Sequence, residues 1–345
     1  MNQDFLLRML QTSSVSGHEI TLQKHVIEEM QSYTDTIVTD LTGNVISVLN
    51  PEAKFKVMLA GHIDEIGLIL THVLDNGLIR VVKAGGIDAN HYPGHKVVIE
   101  TSQGPVYGAV VSSREMTKKN VQPEDLLIDI GAASKKEALE HISIGDPVRL
   151  DTDYRFLLNK RLSARALDDR SGAFIVLEAL KRAKELGVEI GVYAATTVGE
   201  ETTMRGARWA SERISPNVAI AVDVTYATDY PGTDPATSGD VRLGKGPVLC
   251  HSSIVNPHLN ALLKKVANQH QIPYQEETFV GRTGTDADQM HFSSHGIATA
   301  LVSLPLRYMH SPDEVCSLED IQNCIELLAQ FLVSIDASTQ LDPFI

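Results

Sequence analysis

The spacing of apolar and polar positions divides the chain into two textures. Up to about Gly67, and again from Arg161 onward, compact apolar runs alternate with segments whose apolar residues recur at helical spacing. That is the pattern of strands buried on both faces between amphipathic helices. Asp4–Leu10 has the spacing of a short helix. Ser16 and Glu19 stand as a capping box ahead of a stripe of Ile20, Val26, Ile27 and Met30 that predicts a helix to about Tyr33. Strands are expected at Thr36–Thr39, Asn44–Leu49, Phe55–Ala60, Val192–Val198, Pro216–Val224 and Ala298–Leu304. Helices are expected over Gly172–Leu186, Met204–Ile214, Pro257–His270 and Leu318–Ile335.

Between about Leu68 and Lys160 the segments are short and alternating. Hairpin signals stand at Asn76-Gly77 and Ser102-Gln103-Gly104, and only Ser134–His141 has helical spacing, with a second capping box at Ser134 and Glu137. The expected fold is therefore α/β, with a mixed, mostly parallel sheet flanked by helices. One discontinuous domain takes residues 1–67 and 161–345, and a small β-rich domain of residues 68–160 is inserted into it.

Composition narrows the function classes. The chain has 345 residues, of which 43% are hydrophobic and 21% charged, as in a globular protein. A formal net charge of −14 disfavours nucleic-acid backbones as partners. No apolar run reaches the ~18 residues of a membrane span, so no membrane partner is expected. The first residues, MNQDFLLRMLQTSS, lack the pattern of a signal peptide. The three cysteines, Cys250, Cys316 and Cys324, have no metal-knuckle or redox spacing. A reduced, cytoplasmic protein is expected.

The candidate chemistry follows from what ends each apolar run. His62 and Asp64 follow one expected strand, with the period of two that sets both side chains on one side of an extended segment. Glu200 and Glu201 follow another across Gly199, and Asp223 stands near the end of a third. His310 follows a fourth by a short loop, and Asp168 introduces a helix. In a mostly parallel sheet these ends face one crevice. Each feature also has a plain structural reading: the glutamates as a helix first turn favoured by its dipole, and Asp168-Asp169-Arg170 as a capped helix start with a local ion pair. Taken together, so many acids in one crevice would repel and desolvate one another without a cation. Mixed imidazole and carboxylate ligands suit Zn²⁺, Co²⁺ or Mn²⁺.

The motifs GHIDEIG, ALDDRSG, GEETTMRGA, AVDV and LRYMHSP, in this order and almost from end to end of the chain, resemble the glutamyl-aminopeptidase family of dinuclear metallopeptidases, which includes tetrahedral and deblocking aminopeptidases. The resemblance implies two divalent metal ions per subunit, Zn²⁺ or Co²⁺ foremost, with Mn²⁺ as a further option. It implies His62 and Asp223 on one ion, Glu201 and His310 on the other, and Asp168 bridging them. Glu200 would be the general base and acid, and Asp64 the support of His62. The substrates would be peptides cleaved at the amino end, and the assembly a homo-oligomer, a dodecamer built from dimers. Thr202-Thr203-Met204 departs from the valine, glycine and leucine of many relatives, and is expected to tune the pocket wall. The apolar segments Leu68-Ile69-Leu70 and Ala109-Val110-Val111 of the insertion either offer surface to a partner subunit or pack against each other. Two rival readings are a dinuclear carboxypeptidase or amino-acid deacylase, and a metal-bound scaffold without peptidase activity.

Overall fold

The computed structural model describes residues 1–116, 120–293 and 296–345. In chain order the helices are α1 (Gln3–Gln11), α2 (Ile20–Met30), α3 (Lys135–Leu139), α4 (Leu167–Glu185), α5 (Glu200–Thr203), α6 (Arg205–Ile214), α7 (Pro235–Ser238), α8 (Pro257–Gln269), α9 (Ala287–Met290) and α10 (Leu318–Ser334). The first nine strands are β1 (Thr36–Thr39), β2 (Val45–Leu49), β3 (Lys56–His62), β4 (Gly67–Val73), β5 (Ile79–Ala84), β6 (Lys96–Thr101), β7 (Gly104–Val110), β8 (Leu127–Asp129) and β9 (Pro147–Leu150). Eight follow: β10 (Arg155–Leu157), β11 (Arg161–Ala164), β12 (Gly191–Thr197), β13 (Val218–Tyr226), β14 (Val248–His251), β15 (Gln275–Thr278), β16 (Ala298–Leu306) and β17 (Glu314–Ser317).

Eight strands form one mixed sheet in the order β1-β2-β12-β3-β13-β16-β14-β15. Its four central strands, β12, β3, β13 and β16, are mutually parallel, so their carboxyl ends open on one edge. They are buried on both faces, which is why their sequences run apolar without alternation. One face is covered by a core that includes Phe174, Leu177 and Leu180 of α4, Leu328 and Phe331 of α10, and Phe5 and Met9 of α1. The other is covered by Ala207 and Ala210 of α6 and Met290 of α9. Gly61 lets α4 approach β3: a Cβ there would lie 2.5 Å from the backbone of Gly172 and Ala173.

The β-rich stretch is a closed antiparallel barrel in the order β4-β5-β8-β7-β6-β9, with its own core. Leu68, Leu70 and Val110 point into that core, so those apolar positions pack within the barrel instead of facing a partner. Ile69 and Val111 are half-buried and Ala109 is exposed, and the larger apolar side chains that the barrel exposes include Val82, Tyr107, Leu139 and Ile144. β10, β11 and β17 form a small separate sheet.

Ser16 does not cap α2. A tight turn joins His18 N–H to the Val15 carbonyl, Glu19 reaches back to Gly17 N–H, and the Ser16 hydroxyl pairs with Thr202, so the helix starts at Ile20. At α3, Ser134 accepts from Glu137 N–H as expected, but Glu137 bonds Ala133 N–H, one residue short of a reciprocal box. Arg170 forms no local pair with Asp168 or Asp169. It runs under the sheet edge to Glu65, which also takes Arg165 and Ser14 N–H.

This buried Glu65–Arg165–Arg170 group ties the β3–β4 junction to α4. Burial opposes the Glu65 charge, but the two guanidiniums hold its carboxyl below the usual range. Its stabilisation is therefore present above pH about 4 and lost only as pH falls through the depressed value. Glu65→Gln should leave two buried guanidiniums without a counter-charge and cost ~3–5 kcal/mol. Urea unfolding reads this as a lower midpoint, and an unchanged midpoint would show that the group contributes nothing.

Candidate metal centre and active site

All seven residues singled out from the sequence lie at the carboxyl edge of the central strands. His62 ends β3, Asp223 lies on β13, Glu200 and Glu201 open α5 after β12, Asp168 opens α4, and His310 follows β16. His62, Asp168, Glu200, Glu201, Asp223 and His310 line one cavity of ≈ 300 Å³, and Asp64 is fully buried behind them.

Asp168 is the centre of this group. One carboxylate oxygen, Oδ1, is 3.2 Å from His62 Nε2, and the other, Oδ2, is 3.2 Å from His310 Nε2. Glu201 Oε1 lies 3.6 Å from the same His310 nitrogen, and Glu200 Oε2 lies 3.8 Å from His62 Nε2. Ligand atoms of His62, Asp168 and Glu201 lie within 4.8 Å of one another, as do those of His62, Asp169 and Asp223. Both rings use Nδ1 to donate to a backbone carbonyl, His62 to Asp64 at 3.2 Å and His310 to Gly86 at 3.0 Å. The contacts of Nε2 with the Asp168 oxygens require positive charge there, either the second proton of the ring, which these carboxylates favour, or a bound cation to which a neutral ring turns its lone pair.

The electrostatics lead to the same requirement. Burial pushes Glu200, Glu201 and Asp223 up, and neighbouring carboxylates add to the push; Asp223 reaches about 8. Burial opposes protonation of His62, but Asp168 and Asp64 more than offset it. Glu200 Oε1 and Glu201 Oε1 are buried with no hydrogen-bond partner among the described residues. Unsatisfied buried oxygens, raised carboxylates and two facing imidazoles fit a divalent cation site.

Asp64 accepts from the backbone N–H groups of Glu200 at 3.0 Å and Glu201 at 3.3 Å, and its Oδ1 lies 3.5 Å from His62 Nδ1. It thus ties the glutamate pair to the His62 strand. Two further acids border the site, Asp169, expected only as part of a capped helix start, and Glu314, not singled out in the sequence. Asp169 accepts from His62 N–H and Gly172 N–H, locking β3 to α4. Glu314 accepts from Asp168 N–H and His310 N–H, and burial, then the Asp168 charge, pushes it up to about 8. Its sole sequence signal is its position four residues after His310. The barrel reaches the site as well: a Cβ on Gly86 would lie 3.0 Å from the His310 ring, and one on Gly85 would lie 3.2 Å from Glu201. Thr202, Thr203 and Met204, expected in the pocket wall, do not line the cavity. Thr202 is drawn away by its bond to Ser16.

The fold and this crevice define an α/β protein with a histidine–carboxylate centre at the carboxyl edge of its sheet. Comparison with known proteins gives the family: residues 43–327 match the model of the M42 glutamyl aminopeptidases, and the chain belongs to that family of peptidases. A putative aminopeptidase of Acetivibrio thermocellus is 37% identical over 331 residues, 95% of this chain and 97% of that one. The crystal structure of a TET aminopeptidase from a marine sediment archaeon of the Thaumarchaeota superposes with a TM-score of 0.92 at 31% identity, covering 98% of this chain and 97% of that one. The TET1 peptidase of Pyrococcus horikoshii, which can assemble into a tetrahedron or a large octahedral shell, superposes with a TM-score of 0.87 at 31% identity, covering 96% and 99%.

A carboxyl whose pKa is raised by folding costs stability as pH climbs from its unfolded value toward its folded one. Protein freed of divalent ions by chelation should therefore lose stability between pH about 4 and about 8, the window set by Asp223. Added Zn²⁺ or Co²⁺ should raise the melting temperature more at pH 8 than at pH 5. Equal gains at both pH values would contradict the link between the acid cluster and a cation.

Proposed function

We propose that the chain is a dinuclear metal-dependent aminopeptidase that removes residues from the amino end of peptides. The observation that carries this reading is the split of the Asp168 carboxylate between His62 and His310. It supports His62 and Asp223 as ligands of one ion, Glu201 and His310 as ligands of the other, and Asp168 as the bridge. Bound divalent ions supply a water of lowered pKa, polarisation of the scissile carbonyl and an anchor for the free α-amine.

Glu200 is the general base and acid. One of its oxygens is unpaired, and burial raises its proton affinity. It can therefore take a proton from the attacking water, hold it, and return it to the leaving amine. Asp64 sets the position of both Glu200 and His62 through the contacts above. No lysine or arginine occurs among the described residues lining the cavity, which disfavours the carboxypeptidase and deacylase readings, since both need a cation for a substrate carboxylate. Zn²⁺ and Co²⁺ suit this mixture of imidazole and carboxylate.

We further assign residues 1–67 and 161–345 to the catalytic domain and residues 68–160 to an oligomerisation domain. The exposed Tyr107, Val82 and Ile144 are its apolar contact candidates. Assembly into a dodecamer built from dimers would shield cytoplasmic proteins from a peptidase of broad reach. The three cysteines are free and buried, consistent with a reduced compartment.

Glu200→Gln should retain metal while turnover falls by ~10²–10⁴, whereas Glu201→Gln should lower metal content. Elemental analysis beside steady-state kinetics checks both, and the opposite pattern would exchange the two roles. The enzyme should cleave aminoacyl p-nitroanilides and leave their N-acetyl forms intact, and cleavage of both would exclude an aminopeptidase. Light scattering coupled to size exclusion should show an assembly larger than a dimer, and a fully active monomer would refute the assembly.

A further inference from the structure

The cavity has a second chemistry beyond the candidate metal ligands. Apart from His62, its most deeply buried lining residues are Leu301, Ser303 and Glu277, at 1%, 1% and 2% exposure, whereas Tyr226, 54% exposed, marks the rim. Glu277 stands on β15. Its carboxylate accepts a hydrogen bond from Thr225 Oγ1 at 2.5 Å and another from Ser303 Oγ at 3.3 Å. Both donors are uncharged, and among the described residues no cationic side chain acts on Glu277. Burial pushes its carboxyl up to about 7, and the two hydroxyls pull it back. A buried carboxylate without a counter-charge is costly, and it is tolerated where a ligand supplies the missing cation.

The setting defines that ligand. Asp223 and Thr225 are two residues apart on β13, so their side chains leave one face of the strand roughly 7 Å apart. Glu277 therefore lies about one extended side chain beyond the candidate metal centre. Phe279, Leu301 and Met309 give the intervening walls an apolar character suited to methylenes.

We propose that Glu277 is a specificity-determining residue that selects peptides whose first residue is lysine or arginine, an inference that rests on the aminopeptidase reading above. The aliphatic stem of such a side chain lies along the apolar walls, and its cationic head meets the Glu277 carboxylate between Thr225 and Ser303. A neutral side chain of the same length leaves Glu277 buried without a counter-charge. An acidic one adds a second negative charge to a cavity already crowded with them.

The test compares kcat/KM for lysyl, norleucyl and glutamyl p-nitroanilides, with wild-type protein and Glu277→Gln, both as metal-loaded full-length chains. A charge-assisted hydrogen bond in a buried setting predicts a wild-type preference for lysyl over norleucyl of about 10–100-fold, with glutamyl slowest. Glu277→Gln should lower the lysyl-to-norleucyl ratio by a similar factor. Inhibition of the wild-type enzyme by lysinamide against norleucinamide gives the same comparison without a variant, and lysinamide should be the stronger inhibitor. Norleucyl hydrolysis with no lysyl preference would overturn the inference and leave the aminopeptidase reading standing. Equal losses on lysyl and norleucyl substrates in Glu277→Gln would make Glu277 a general binding or structural group and would also overturn it. Failure to hydrolyse any of the three would remove the aminopeptidase reading itself, and the specificity claim with it.

Discussion

The sheet edge brings more negative charge into one buried place than a protein can hold without help. Asp168, Glu200, Glu201 and Asp223 all line a single cavity, and Asp169 and Glu314 are buried just behind it. Two imidazoles face opposite oxygens of Asp168 through Nε2, because each ring directs Nδ1–H to a backbone carbonyl. Within the chain the remedy is protonation, and one oxygen on each of Glu200 and Glu201 stays without a hydrogen-bond partner among the described residues. A divalent cation would resolve the whole arrangement at once. The neighbouring structure can be understood as the scaffold that makes this concentration of acids tolerable.

That scaffold comes from three parts of the chain. The parallel core sets the ends of β3, β12, β13 and β16 side by side. The Glu65–Arg165–Arg170 group fixes the first of these ends to α4 from below. The barrel, although a separate sheet with its own core, presents the Gly86 carbonyl to His310 and keeps Gly85 flush against Glu201. A barrel that takes part in subunit contacts would thus also touch the ligands of one candidate metal, and assembly and catalysis would then share a structural boundary.

Much of this could be read from the sequence, for identifiable reasons. The buried parallel strands announced themselves as apolar runs, and the hairpins of the barrel as Asn-Gly and Ser-Gln-Gly turns. The site residues other than Asp168 were legible because they follow apolar runs, a position that a parallel sheet turns into proximity, and Asp168 because it introduces a helix. What stayed hidden depended on partners distant in sequence. Glu314, Asp169 and Glu65 act through bonds to backbone or to arginines that no local spacing reveals. Ser16 resembled a helix cap but pairs with Thr202, 186 residues away. Leu68, Leu70 and Val110 suggested spare surface until barrel closure turned them inward. β14 and β17, of four residues each, are too short for periodicity to detect.

If two divalent cations occupy the space around Asp168, anomalous diffraction from crystals grown with Zn²⁺ near pH 8 should show two peaks flanking its carboxylate, one beside His62 and Asp223 and the other beside Glu201 and His310. A cavity without anomalous density at saturating Zn²⁺, or peaks only at sites elsewhere on the surface, would contradict it.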